Sequence, residues 1–249
     1  MISVTAGLLL PLAGTALGAT GAVFVKKRTS ETGPVLSGFA AGVMVAASVW
    51  SLIVPSIEAS ASRGAWCFVP AAVGIWLGAV FLLVCERAAK RIETRISEKG
   101  VSDNLLLIFA VVLHNIPEGI AVGLAFSSYL AGGVSFLSAL MLSTGIAIQN
   151  IPEGAIISMP LAGGGMKRKK AVFMGLLSGV VEPVFSLLTL ALSTVVTPLF
   201  PYLLGFAAGA MLYVCFCELI PSACKGERAG TCACFLGFTL MMALDVFFS

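Results

Sequence analysis

Two six-residue segments, HNIPEG from His114 to Gly119 and QNIPEG from Gln149 to Gly154, set ligand-type side chains inside apolar surroundings. On a helix, residues four apart lie about 40° apart round the axis, so His114 shares a face with Glu118, and Gln149 with Glu153. Asn115 and Asn150 fall about 60° to the other side of their glutamates. Each helix would therefore carry a narrow stripe of nitrogen and oxygen donors, the geometry of a metal site. Pro117 and Pro152 have no N–H, which frees the carbonyls of Leu113 and Ile148 and predicts a kink in each helix.

A third acid, Glu182, is followed by Pro183 and falls near the middle of another apolar run. An acidic side chain at the centre of a bilayer costs about 2.5–3.5 kcal/mol even on lenient scales. No Lys or Arg lies in the interior of any apolar run, so Glu118, Glu153 and Glu182 must either be protonated or meet a cation from outside. His114 is the single histidine of the chain. One imidazole, three carboxylates and the amide oxygens of Asn115, Gln149 and Asn150 form a borderline-to-hard donor set, suited to Zn²⁺ and tolerant of Fe²⁺, Mn²⁺, Co²⁺ or Cd²⁺. Interhelical hydrogen bonding by neutral glutamates and a metal-free proton relay are the alternatives that share these residues.

The elements that must position this set are helices in a membrane. The chain has 249 residues, 59% apolar and only 11% charged, with 27 glycines, and a mean hydropathy of +1.04. That composition excludes an ordinary soluble domain. Apolar runs of bilayer length can be read near 3–25, 35–57, 66–86, 104–126, 134–160, 171–197, 199–221 and 230–248. The expectation is an all-α polytopic membrane protein of eight transmembrane helices in one domain, 1–249. TALGA in the first run resembles a cleavage site, but the run lacks a basic segment before it and reads as a retained helix.

Fourteen of the fifteen Lys and Arg fall in alternate connections: Lys26, Lys27 and Arg28; Arg87, Lys90, Arg91, Arg95 and Lys99; Lys167 to Lys170; Lys225 and Arg228. The remaining connections hold Arg63 alone. Basic connections face the cytoplasm, which sets both termini outside. The net charge of +3 thus reflects topology, and no nucleic-acid partner is implied. Of the seven cysteines, Cys85, Cys224, Cys232 and Cys234 fall towards the reducing side, Cys67 is alone outside, and Cys215 and Cys217 should face different ways, so no disulfide is expected. The connection at about 86–103 carries both charge signs, and Ser102 or Asp103 is expected to cap the next helix.

GFAAGVM (Gly38 to Met44) recurs as GFAAGAM (Gly205 to Met211), and SLIVPS (Ser51 to Ser56) is echoed by ELIPS (Glu218 to Ser222) with a one-residue slip. These copies lie in the second and seventh runs, an odd separation, so they cross the membrane in opposite senses. The motif-bearing fourth and fifth runs are antiparallel as well. The chain reads as a 3+2+3 inverted repeat round a midplane site, an organisation that suits alternating access.

These residues resemble the ZIP (Zrt/Irt-like) metal-ion transporters, in particular the short bacterial GufA-like or ZupT-like forms. HNIPEG with QNIPEG carries the resemblance, which extends over the whole chain. It implies uptake of a divalent metal, zinc first, into the cytoplasm across the plasma membrane, with no prosthetic group, no enzymatic reaction and a homodimer in the lipid bilayer. It also implies His114, Asn115, Glu118, Gln149, Asn150, Glu153 and Glu182 as metal ligands. Some relatives have an aspartate at the position of Asn150, so the neutral amide here implies a second metal site that is weaker or favours a different metal. Met44 matches a pathway-lining position and reads equally as an adaptable core residue, and Glu218, near the cytoplasmic end of its helix, reads either as an exit-side ligand or as a capped, snorkelling surface acid. Glu58 and Asp245, at outer helix ends, are expected to be solvated, with Glu58 placed to attract cations. An intramembrane metalloenzyme and a metal-gated channel or sensor are the other classes that would use the same cluster.

Overall fold

The computed structural model describes residues 2–24, 32–97, 103–163, 165–193, 197–225 and 227–248. Lys26, Lys27, Arg28, Lys99 and Ser102 lie outside the described residues. Among the described residues there is no strand. The long helices are α1 (Ile2–Ala19), α2 (Thr32–Ala47), α3 (Val69–Ser97), α4 (Asp103–Leu130), α5 (Phe136–Gly163), α6 (Arg168–Gly179, resuming as Val181–Ala191), α7 (Phe200–Val214) and α8 (Glu227–Phe248). Six stretches among the described residues are long and apolar enough to cross a bilayer: Ser3–Val23, Gly33–Glu58, Val69–Ala88, Arg168–Ala191, Phe200–Cys224 and Arg228–Phe247. The protein is an all-α polytopic membrane protein. Exposed apolar side chains such as Trp76, Leu77 and Val84 on α3 and Phe235 and Leu236 on α8 suit a lipid-facing surface.

The charged segment expected to be a connection at 86–103 is helical to Ser97. Its Glu, Arg, Ala and Lys residues are strong helix formers, so α3 continues past its apolar part.

Two helices widen at related places. After Ala47, α2 passes through a π-helical stretch, Ser48–Ile53, where the Val54 N–H reaches the Val49 carbonyl, and it ends as Val54–Glu58. After Val214, α7 passes through Cys215–Leu219, where the Ile220 N–H reaches the Cys215 carbonyl, and it ends as Ile220–Cys224. Each stretch ends shortly before a proline, Pro55 or Pro221, whose missing N–H a widened turn accommodates. Ser48 donates to the Met44 carbonyl at 2.7 Å at the start of the first stretch.

Packing follows a matching scheme. Helix α2 lies against α8 and α7 against α3, while α1 lies against α5 and α4 against α6. Small residues make the close approaches. A Cβ at Gly42 would meet the Cys234 carbonyl on α8, and one at Gly209 would meet the Ile75 carbonyl on α3. The apolar core between these layers includes Met44, Leu52, Val122, Phe126, Ile146, Leu204, Met211 and Met241.

Candidate functional site

Helices α4 and α5 carry the two motifs, and both run unbroken across Pro117 and Pro152. The expected kinks therefore do not appear as helix breaks. The break falls instead in α6 at Val180, between Gly179 and Val181. Pro183, with no N–H, has nothing to offer the Gly179 carbonyl, which loosens the turn just before Glu182.

Asn115, Glu118, Gln149, Asn150 and Glu182 are all fully buried, none more than 1% exposed. Glu153 is partly buried. The side chain of His114 lies outside the described residues. The buried five form two hydrogen-bonded groups. In the first, Gln149 Nε2 donates to Glu118 Oε1 at 2.7 Å and ties α5 to α4. In the second, Asn115 Nδ2 donates to Glu182 Oε1 at 3.0 Å and Asn150 Nδ2 donates to Glu182 Oε2 at 2.7 Å, so an asparagine from each motif grips one carboxylate of α6. Asn115 Nδ2 also reaches the Ser178 carbonyl at 3.0 Å and Asn150 Nδ2 the Pro11 carbonyl at 3.4 Å. Glu153 and Glu182 both lie close enough to Glu118 to act on it by charge.

Four acceptor oxygens of this cluster are buried with no hydrogen-bond donor among the described residues: Asn115 Oδ1, Glu118 Oε2, Gln149 Oε1 and Asn150 Oδ1. Buried acceptors are normally satisfied, since leaving one unpaired costs about 1–3 kcal/mol. Oxygens kept from any donor are what a bare cation needs. Among the described residues, no three His, Cys, Asp or Glu side chains come together as a metal-binding group. The oxygens on offer come largely from amides.

The auxiliary residues divide differently. Met44 is 1% exposed and sits in the apolar core beside Val43, Leu52 and Met211. Glu218 lies in the widened stretch of α7, is exposed, and is close enough to Glu153 to act on it by charge. Asp245 departs from the solvated state expected for it. It is only 8% exposed and accepts from Ser51 Oγ at 2.6 Å, because α8 packs its last turns against α2. With exposed Glu58 it lines a cavity of about 480 Å³. All seven cysteines are free; Cys215 is buried and Cys217 exposed, as their spacing implies.

Thr15 on α1 was not singled out by the sequence. Its Oγ1 lies 3.4 Å from Glu182 Oε1, and no spacing rule links residues so far apart in the chain. The local sequence offers no signal beyond one hydroxyl among the several of that run.

A family model described as "ZIP Zinc transporter" matches residues 101–245. The chain is 33% identical to zinc transporter ZIPB of Bordetella bronchiseptica, covering 94% of this chain and 77% of that protein. It is 36% identical to zinc transporter GufA of Myxococcus xanthus, over 79% of this chain and 80% of that one. It is 33% identical to zinc transporter ZIP11 of Xenopus tropicalis, over 84% and 86% of the two chains.

Proposed function

The chain belongs to the ZIP zinc transporter family, and from that premise we propose that it moves a divalent metal ion, zinc before Fe²⁺, Mn²⁺, Co²⁺ or Cd²⁺, into the cytoplasm. The observation that carries the site assignment is the set of four donorless buried oxygens on Asn115, Glu118, Gln149 and Asn150. They occupy a region with three acids and no Lys or Arg within ten residues of any of them in sequence. A cation satisfies both deficits at once. His114, Glu153 and Glu182 complete the ligand set in this reading, with Met44 beside the pathway and Glu218 towards the exit.

Eight spans in a 3+2+3 inverted repeat, forming one domain over 1–249, are the proposed frame. Support comes from the matched packing of α2 on α8 and α7 on α3, the matched glycine approaches, and a widened stretch before a proline in both α2 and α7. Such a frame places the site near the midplane, with the group α1, α4, α5 and α6 free to shift against the rest. In this reading the membrane is the plasma membrane and both termini lie outside it, an orientation supported by the distribution of Lys and Arg. The metalloenzyme alternative is not favoured, since the relatives are named as transporters.

Influx into proteoliposomes holding the purified chain, with a trapped indicator and each of the five metals in turn, tests the proposal. Saturable entry is expected, strongest for zinc. Tight zinc binding with no flux of any metal would overturn transport.

A further inference from the structure

The two motif glycines show that α1 and α6 occupy equivalent places. A Cβ on Gly119 would meet the Glu182 carbonyl at 2.6 Å, and a Cβ on Gly154 would meet the Thr15 carbonyl. The motif asparagines repeat the relation. Asn115 reaches the carbonyl of Ser178, four residues before Glu182, and Asn150 reaches that of Pro11, four residues before Thr15. Thr15 therefore stands against α5 where Glu182 stands against α4. A strict duplication would set two carboxylates face to face; here one half offers a hydroxyl.

The two side chains meet. Thr15 is 2% exposed, and its single hydroxyl proton is shared between Glu182 Oε1 at 3.4 Å and the Pro11 carbonyl at 3.3 Å. Gly179, at the break in α6, makes room for it, since a Cβ there would lie 2.8 Å from both Thr15 Cβ and Oγ1. Glu182 thus takes an asparagine amide on each oxygen and the threonine hydroxyl on one of them. With the Nδ2 groups engaged, Asn115 and Asn150 keep their Oδ1 atoms without a donor among the described residues.

We propose that Thr15 is a positioning residue of the transport site, whose hydroxyl steadies Glu182 between the two asparagine amides and so sets the oxygens that the incoming divalent cation meets. This rests on the metal-transport reading above. The pseudo-equivalent pair supplies one negative charge at most, which suits a single cation at this place. A second acid at position 15 would face Glu182 as a buried like charge with no basic partner.

The test compares Thr15→Val, which keeps the shape and removes the hydroxyl, with Thr15→Ser, which keeps the hydroxyl. Zn²⁺ binding by calorimetry on the purified full-length chain is measured alongside Zn²⁺ influx into proteoliposomes. Thr15→Val is expected to weaken binding and raise the KM for influx by about 5- to 10-fold, from loss of a single hydrogen bond whose proton is shared between two acceptors, while maximal rate stays within about twofold; Thr15→Ser is expected to recover both. Wild-type affinity in a folded Thr15→Val variant overturns the proposal, as does a Thr15→Ser variant no better than Thr15→Val. Thr15→Cys, with its weaker donor, should fall between, and provides the folded comparison if valine is not accepted. Zinc binding without influx in the wild type would defeat the transport reading and leave the binding comparison decisive for Thr15.

Discussion

Gln149 Nε2 donates to Glu118 Oε1 across 2.7 Å, joining the first residue of one motif copy to the glutamate of the other. The two copies are thus held to each other through their side chains. Glu118 has one oxygen engaged and the other, Oε2, buried with no donor among the described residues. Glu118→Ala should reduce Zn²⁺ influx by about 100-fold or more, the upper end of what even a ligand's supporting residue commands, while helical content by circular dichroism stays unchanged. Unaltered uptake in that variant would remove Glu118 from the site.

Asn150→Asp would replace the donor that grips Glu182 Oε2 with a second acid. In chelator the variant should melt at a lower temperature than the wild type, because two buried carboxylates then face each other. Added Zn²⁺ should raise its melting temperature by more than it raises that of the wild type, since a cation relieves the repulsion in the folded state only. A thermal melt with and without Zn²⁺ reads both effects. Equal melting in chelator would show that Asn150 and Glu182 are not coupled.

The packing of α2 on α8 and of α7 on α3 rests on glycines that allow backbone contact. Gly42→Val and Gly209→Val should each destabilise the protein by about 1–3 kcal/mol, since the added carbons meet main-chain carbonyls that cannot give way. Comparable drops in melting temperature are expected from the two, as they occupy matching positions in the repeat. Tolerance at one site and collapse at the other would argue against that matching.

Glu58 lines the 480 Å³ cavity with Asp245 and is exposed at the end of α2. Glu58→Gln should raise the KM for Zn²⁺ influx about two- to threefold at low ionic strength, with little effect in high salt, as expected for a group that attracts cations through a screened field. An equal effect at all salt concentrations would indicate a direct ligand.

Sidedness follows from the cysteines, all of them free. In single-cysteine variants, a membrane-impermeant maleimide should label Cys67 in intact cells, and exposed Cys224 and Cys232 only after permeabilisation. The reverse pattern would invert the proposed topology.

Much of the architecture is legible in the amino-acid sequence, because it is carried by short-range pattern. Hydropathy over about 20 residues marks a membrane helix whatever its neighbours, so the all-α polytopic class follows from composition. The GFAAG copies and the HNIPEG and QNIPEG copies point to the candidate site and the proposed frame by simple recurrence. The helical continuation of α3 to Ser97 is also local, carried by helix-forming charged residues, but a reading based on hydropathy alone stops where the apolar run does. Proline is less legible: a missing N–H predicts strain, and it falls within continuous helices at Pro117 and Pro152 but follows widened stretches at Pro55 and Pro221, so the surroundings decide how it is accommodated.

What only the tertiary structure decided is how the site residues divide. Sequence spacing could set Asn115 beside Glu118 on one helix, but not turn both asparagines towards Glu182, since that depends on how α4, α5 and α6 meet. Nor could it bring Thr15 to Glu182 or bury Asp245 against Ser51, contacts that span 167 and 194 residues of chain. Periodicity fixes which face of a helix a side chain occupies; the partner across that face is set by close packing between helices, and that is a property of the whole chain.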